Sequence, residues 1–352
     1  MRTDNPSTAA PQVTVIVPCR NEAGNIRRCL DSILGNDFPP ERFEVLVADG
    51  QSDDGTRAIV EEFARSHPAV RLLDNPQRTA AAGLNRGIAE ARGQIIMRMD
   101  AHNEYAPDYV RQLVECLEKS GADNVGGVCV TVPANDTHIA RAIAVGMSHP
   151  LGVGNSYFRI GAAEPRWVDT VPFGCYRREV FQRIGLFDEE LVRNQDDEFN
   201  LRLIRHGGRI LLVPSVKAYY SGRDSLANLW RMYYQYGYFK PLVARKVGSV
   251  MTVRQVIPSL FLLTLAATGL AAPWSLASAA AFAVILLAWA GTVALCAAQQ
   301  MPARGVRCAL WLLLVFPVMH FSYGLGYLRG IVDFLVLRRK RAPAAGKVPL
   351  SR

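Results

Sequence analysis

Between Gln255 and Ala303 the chain has no Asp, Glu, Lys, Arg or His. An uncharged block of that length does not suit the outside of a soluble domain, and it has room for two helices of about 20 residues, the length a bilayer requires, with a turn near Pro273 and Trp274. Acids are almost missing beyond Arg254: Asp333 is the only one of 31, against nine of the 40 basic residues. The first 254 residues keep 31 basic and 30 acidic groups, a net charge of +1. A nucleic-acid binder carries a basic patch on its folded domain, and this balance gives no support for one. No CxxC pair occurs among the scattered cysteines Cys19, Cys29, Cys116, Cys129, Cys175, Cys296 and Cys308. That spacing argues against a zinc ribbon or a disulfide framework and for reduced thiols in a cytosolic compartment. The opening "MRTDNPSTAAPQ" lacks the apolar core of a signal peptide. The expectation is a disordered stretch over residues 1–12 followed by a cytosolic domain.

What is present divides near Arg254. The stretch "LANLWRMYYQYGYFKPLVARK", 226–246, mixes Tyr, Trp, Arg and Lys, types that favour the headgroup layer. It marks residues 226–254 as an interfacial segment. Residues 255–337 then form a membrane portion of two to three hydrophobic segments, the last from Cys308 to Leu328 with His320 as its single ionisable group. If the first two cross and return, Arg304 and Arg307 sit in the cytosol, as the positive-inside tendency prefers. A third crossing would carry "RRKR", 338–341, to the far side. The expectation is that Cys308–Leu337 is re-entrant or lies partly in the interface, leaving the basic tail 338–352 cytosolic beside anionic lipid.

The soluble part alternates. "VTVIVPC" (13–19), "FEVLVADG" (43–50), "VRLLDN" (70–75) and "GQIIMRMD" (93–100) read as strands, separated by helical patterns over 25–34, 56–66 and 79–91 and followed by another over 107–120. That order predicts an α/β fold with a mostly parallel, Rossmann-like sheet, whose ligands bind beyond the carboxyl ends of the strands. Asp49 and Asp100 both stand at such ends. In "MDAHN" an extended backbone puts Asp100 and His102, two residues apart, on one face, so both can point at one ion. A lone Asp after a strand is more often a turn former or a helix cap. Asp54 and Thr56 fit that plainer role.

Five fragments in order, "VTVIVPCRNEAGNIRRCLDSI", "VLVADGQSDDGT", "GLNRGIAEARGQIIMRMDAHN", "VPFGCYRREVFQRIGLFDEEL" and "NQDDEFNLRLIRHGGRI", resemble glycosyltransferase family 2 over roughly 13–215. With the membrane tail, the layout is similar to the succinoglycan-type transferases of bacterial exopolysaccharide assembly. The resemblance implies a GT-A nucleotide-diphospho-sugar transferase domain over 13–225 with C-terminal transmembrane helices. It implies donor contacts from Pro18, Asn21, Glu22, Asp49, Arg78 and Asp100, with Asp49 accepting the uracil N3 hydrogen; Gly50 replaces the second Asp that the family often has there. Asp100 and His102 stand where the family carries Asp-x-Asp, implying a divalent cation, Mn2+ or Mg2+, on the donor diphosphate; the imidazole makes manganese as suitable as magnesium.

On the acceptor side the resemblance points to Phe173, Gly174, Gln195, Asp197 and Arg202, with Gly174 admitting a sugar and Phe181 in the core. Asp196 takes the place of the catalytic base and would draw the proton from an acceptor hydroxyl as it attacks; Asp197 is the substitute if the register shifts by one. Processive relatives carry Gln-x-x-Arg-Trp, and "LWRMYYQYG" lacks that order, which favours single-sugar addition. The expected protein is an inverting hexosyltransferase of the bacterial inner membrane, multi-pass, with its catalytic domain in the cytosol. Its partners would be a nucleotide-sugar donor, expected to be a UDP-hexose, a polyprenyl-diphosphate-linked saccharide, membrane lipid and other polysaccharide-assembly proteins, with no nucleic acid. Two alternatives stand beside it: a polyprenyl-phosphate glycosyl synthase, and a non-catalytic nucleotide-sugar-binding subunit of a membrane assembly.

Overall fold

The computed structural model describes residues 10–248 and 252–339. The chain divides into two compact units, Met1–Cys129 with Ala162–Tyr219 and Val130–Gly161 with Tyr220–Arg352.

In the first unit the four expected strands form as β1 (Val13–Cys19), β2 (Phe43–Asp49), β3 (Val70–Asp74) and β4 (Ile95–Arg98). They pair in parallel in the order β3-β2-β1-β4. Every residue of β2, and all of β1 except Pro18, is buried, as expected of strands covered on both faces. The helices Ile26–Leu34, Thr56–Ser66 and Ala80–Glu90 alternate with them. The last packs tightly enough that a Cβ on Gly87 would stand 2.4 Å from Ile16 Cγ2. Beyond β4 come β5 (Asn103–Tyr105), β6 (Asn124–Val132), β7 (Arg166–Trp167), β8 (Cys175–Arg177) and β9 (Ile210–Ser221). The complete order is β3-β2-β1-β4-β8-β6-β9-β5, with β7 on β9. Because β8 runs antiparallel to both β4 and β6, the sheet changes direction beside the strand that leads into Asp100.

Among its described residues the second unit holds three helices long and apolar enough to cross a membrane, Ile257–Trp274, Leu276–Gln299 and Val306–Val336. Only 11% and 6% of the first two are buried within the protein, against 44% of the third. The third runs unbroken through Val306–Gly330 and continues as a wider helical turn over Ile331–Val336. It has no chain reversal, so the re-entrant hairpin expected for Cys308–Leu337 is not what forms; Pro317 is accommodated inside the helix. The segment expected at the interface is the helix Leu226–Val247, and it buries one face against this third helix. A Cβ on Gly237 would fall 2.1 Å from Tyr323 O, one on Gly326 2.1 Å from Tyr234 O, and one on Gly330 2.2 Å from Tyr238 O. Small residues thus let two backbones touch, as in membrane helix pairs.

Val130–Gly161 also belongs to this unit rather than to a single domain ending at 225. The reason is packing: a Cβ on Gly146 would meet Val315 Cγ1 at 2.6 Å, and His149 and Phe316 pack ring to ring at 5.4 Å. His320 accepts from Trp289 Nε1 at 3.1 Å and donates to Leu151 O at 2.7 Å. The lone ionisable group of the last apolar stretch is therefore a neutral pin between helices. Residues 340–352, with most of the basic tail, and residues 1–9 of the N-terminal stretch lie outside the described residues.

Candidate active site

The loops at the carboxyl edge of the sheet are held in an uncommon backbone shape. Asn21, Gln51 and Arg78, which follow β1, β2 and β3, have φ of 54°, 55° and 61°, and Asn194, just before the helix Gln195–Arg205, has φ of 60°. A left-handed non-glycine residue costs about 1–2 kcal/mol, and such residues gather at ligand clamps. Here side chains supply the compensation. Asn21 N–H donates to Ser52 Oγ at 2.9 Å, its Nδ2 donates to Asp53 Oδ1 at 2.9 Å, and its Oδ1 accepts from Asp53 N–H at 3.1 Å. Arg78 Nε donates to Gln51 Oε1 at 2.7 Å. Asp54 accepts from Thr56 N–H and Oγ1, bracing the start of the helix Thr56–Ser66, although the N-cap position itself is Gly55.

Asp49 sits inside this lattice. Its side chain has no exposed surface, and it accepts from Ser52 Oγ at 2.5 Å with Arg57 Nη1 3.6 Å away. In this arrangement Asp49 shapes the loop, and a base would reach it only if Ser52 gave way. Glu22 lies behind the rim, buried, with Oε1 3.5 Å from His102 Nδ1 and Oε2 accepting from Asn25 at 2.8 Å.

The centre is a constellation of Asp100, His102, Asp196 and Arg98, the last of which sequence reasoning missed. Arg98 is the final residue of β4, 6% exposed. Its Nε and Nη2 donate to the two oxygens of Asp100 at 2.9 and 3.1 Å, and its Nη1 lies 3.8 Å from Asp196 Oδ2. The available signal was a cation inside an apolar strand run, because a buried guanidinium requires carboxylate partners. Burial opposes charge on both groups, yet each is pushed toward its ionised form. Arg98 is raised by Asp100 and Asp196, and Asp100 is lowered by Arg98, then by His102 and Arg193. Tyr105 fixes the turn: its hydroxyl accepts from Asp100 N–H at 2.7 Å. The nearby thiols are inert, since burial, with Asp49 beside Cys19 and Asp100 beside Cys29, pushes both upward.

Asp196 occupies the first turn of Gln195–Arg205, where negative charge is favoured, with its side chain 26% exposed. Gln195 is buried beside it, and Asp197 donates its N–H to Asp196 Oδ1 at 3.0 Å. The other residues expected on the acceptor side take part in packing. A Cβ on Gly174 would strike the Tyr176 ring at 2.4 Å and Asn124 Oδ1 at 2.5 Å, so its bare Cα makes room for Tyr176. Arg202 is clamped to Glu198 at 2.8 and 2.9 Å, to Leu186 O at 2.8 Å and to Ile184 O. It ties the helix to the preceding loop. Phe173 is buried against Tyr105, ring centroids 6.2 Å apart, and Phe181 packs among Tyr176, Phe187 and Phe199 as foreseen.

The donor set fits a divalent cation. Asp100, held as a carboxylate, and the His102 imidazole offer oxygen and nitrogen ligands suited to manganese or magnesium. Glu22 beside Nδ1 favours the tautomer whose Nε2 carries the lone pair, the usual arrangement behind a metal-bound histidine. No group of three or more His, Cys, Asp or Glu gathers for a metal among the described residues. The protein thus offers a partial shell of the kind that phosphates and water complete.

A parallel sheet that turns antiparallel beside a strand-end carboxylate, with a second carboxylate on a nearby helix start, is the architecture of the GT-A fold. The chain belongs to glycosyltransferase family 2: the model of that family, glycosyl transferase family 2, matches residues 14–185, and the chain is similar to the succinoglycan biosynthesis protein ExoA of Rhizobium meliloti (strain 1021), 34% identical over 246 residues that cover 69% of this chain and 73% of that one. It is also 29% identical, over 66% of this chain and 74% of the relative, to the dolichyl N-acetyl-alpha-D-glucosaminyl phosphate 3-beta-D-2,3-diacetamido-2,3-dideoxy-beta-D-glucuronosyltransferase of Methanococcus voltae. Among solved structures, the mannosyltransferase PcManGT from Pyrobaculum calidifontis, in complex with GDP-Man and Mn2+, superposes with a TM-score of 0.62 at 23% identity, covering 93% of this chain and 88% of that one. That likeness establishes the fold. The chain is a glycosyltransferase, as the sequence motifs indicated.

Proposed function

We propose that this enzyme transfers a single hexose, with inversion, from a nucleoside-diphosphate donor to a lipid-linked saccharide of the polyprenyl-diphosphate type in surface-polysaccharide synthesis. The observation that carries the reading is the placement of Asp100 and Asp196 on either side of one guanidinium, 2.9 and 3.8 Å from it. The donor's diphosphate end and the acceptor's hydroxyl are thereby served by neighbouring carboxylates. Asp100 and His102 would hold a divalent cation, which supplies charge stabilisation to the departing nucleoside diphosphate. The stitched loops after β1, β2 and β3 bind and orient the nucleotide; Asn21 and Arg78 do so at the rim, Glu22 from behind it beside His102, and Asp49 through the loop it braces. Asp196, partly exposed, takes the proton from the acceptor hydroxyl as that oxygen attacks the anomeric carbon opposite the leaving group. One displacement inverts the centre. The relatives support the acceptor class: one is named for succinoglycan biosynthesis and one for transfer to a dolichyl-phosphate-linked sugar.

The experiment is sugar transfer by the full chain in lipid, from a panel of UDP-, GDP- and dTDP-hexoses to lipid-linked saccharides, with and without Mn2+, beside Asp196→Asn. The UDP-sugar is the expected donor, and Asp196→Asn is expected to lose about 10²–10⁴-fold in kcat, the worth of a positioned base. Full activity of Asp196→Asn on a polyprenyl phosphate would instead identify a polyprenyl-phosphate glycosyl synthase, whose acceptor arrives already ionised.

A further inference from the structure

We propose that Arg98 is a positioning residue that transmits occupancy of the donor site to the base, exchanging its bond to Asp100 for one to Asp196 when a divalent cation and diphosphate bind. The inference rests on the reading of Asp100 as the cation's carboxylate and Asp196 as the base.

The geometry is that of a switch thrown to one side. Two nitrogens of the guanidinium occupy both oxygens of Asp100, at 2.9 and 3.1 Å. The third, Nη1, is buried with no hydrogen-bond acceptor and faces Asp196 Oδ2 at 3.8 Å. An unmade bond on a buried charged donor is costly. A cation on Asp100 requires lone pairs that the guanidinium now holds, and its charge repels the guanidinium. A shift of about 1 Å brings Nη1 within charge-assisted hydrogen-bond distance of Asp196. The guanidinium stays paired throughout, and the base, whose Oδ1 already accepts from Asp197 N–H, gains a charge-assisted donor on Oδ2 when the donor site is loaded. The acceptor hydroxyl therefore meets a carboxylate held by Arg98 as well only in the presence of a sugar to receive it.

Linkage makes this testable without turnover, because a residue that receives Arg98 must influence the binding that releases it. Binding of UDP in the presence of Mn2+, with GDP as the second nucleotide, is measured calorimetrically on the full chain in nanodiscs for wild type, Asp196→Asn, Arg98→Gln and the double variant. Asp196→Asn is expected to weaken binding about fivefold or more when Arg98 is present, and by less than about twofold in the Arg98→Gln background, a coupling typical of residues in one network. Equal weakening in both backgrounds would show Asp196 acting on the cation through space alone and would overturn the exchange. No weakening with Arg98 intact overturns it as well, and that arm needs only the substitution at the partly exposed Asp196. If Arg98→Gln does not fold, Arg98→Lys, which keeps the charge without the fork, replaces it in the cycle. A wild-type chain that binds neither nucleotide with Mn2+ would sink the donor-site reading itself, an outcome distinct from loss of coupling.

Discussion

Asp49 shows how a motif and a structure can assign one residue two jobs. The resemblance gave it the base of the nucleotide, whereas its oxygens are spent on Ser52 and Arg57 and its side chain is sealed from solvent. If it acts by bracing the loop, Asp49→Asn should cost about 1–3 kcal/mol of stability, the penalty for breaking a buried polar group's partnership. It should also weaken UDP and GDP by similar factors. Thermal melts and nucleotide titrations check both, and a loss confined to UDP would return Asp49 to base recognition. Gly174 and Arg202 carry the same lesson. The family pattern located both in register, but a pattern does not reveal that Tyr176 lies where a Cβ would go, or that Glu198 and two backbone carbonyls hold the arginine. Arg98 was invisible for the opposite reason: it belongs to no motif, and only burial beside two carboxylates makes it part of the site.

At the scale of elements, the parallel half of the sheet was legible because its strands and helices differ in period. The helix Thr56–Ser66 matches its expected bounds, and Ile26–Leu34 and Ala80–Glu90 differ from theirs by only a residue at an end. The antiparallel half was not legible, since β8 has three residues and β7 two, too few to show any alternation, and Gly126, Gly127 and Pro214 interrupt the longer β6 and β9. What joins β1, β2 and the turn before β4 is a buried carboxylate far along the strands from the rim. Glu44 accepts from Thr14 Oγ1 at 2.9 Å, Arg92 N–H at 2.8 Å and Arg92 Nε at 2.9 Å. Burial would raise its pKa, but the Arg92 and Thr14 bonds prevail and hold it below the usual carboxylate value. A group whose folded pKa is depressed stabilises fully above its unfolded pKa, near 4.3, and loses that contribution as pH falls through the folded value. Glu44→Gln is therefore expected to lower stability by about 2–4 kcal/mol at pH 7. The gap to wild type should shrink as pH drops below about 4. Denaturant melts across pH test this, and a gap independent of pH would mean that shape, not charge, accounts for the loss.

For the whole molecule, the sequence separated soluble from membrane residues by charge alone, and the uncharged run from Gln255 to Ala303 folds as two outward-facing apolar helices. The third helix was ambiguous because hydropathy does not record what covers a face. Its neighbours resolve how it lies within its unit. Tyr323, Gly326 and Gly330 meet Gly237, Tyr234 and Tyr238, and Phe334 O accepts from Arg245, so it runs parallel to Leu226–Val247. That companion carries Arg231, Lys240, Arg245 and Lys246, an unsuitable set for the hydrocarbon core, and it ends shortly before the first span begins. The last helix thus starts on the side to which the first two spans return, and finishes beside the residues that precede them. If that companion lies in the headgroup layer, both ends of the last helix fall on one face of the bilayer and the chain crosses twice, which is the expectation tested below. Arg329 and Arg339 flank the buried Asp333 at 3.0 and 3.1 Å, a charged cluster suited to the headgroup layer. In inverted and right-side-out vesicles, Arg338→Cys and Arg304→Cys should label with an impermeant maleimide from the same side, and Trp274→Cys from the other. Labelling of Arg338→Cys together with Trp274→Cys would instead establish a third crossing and place the end of the last helix across the membrane from Arg304.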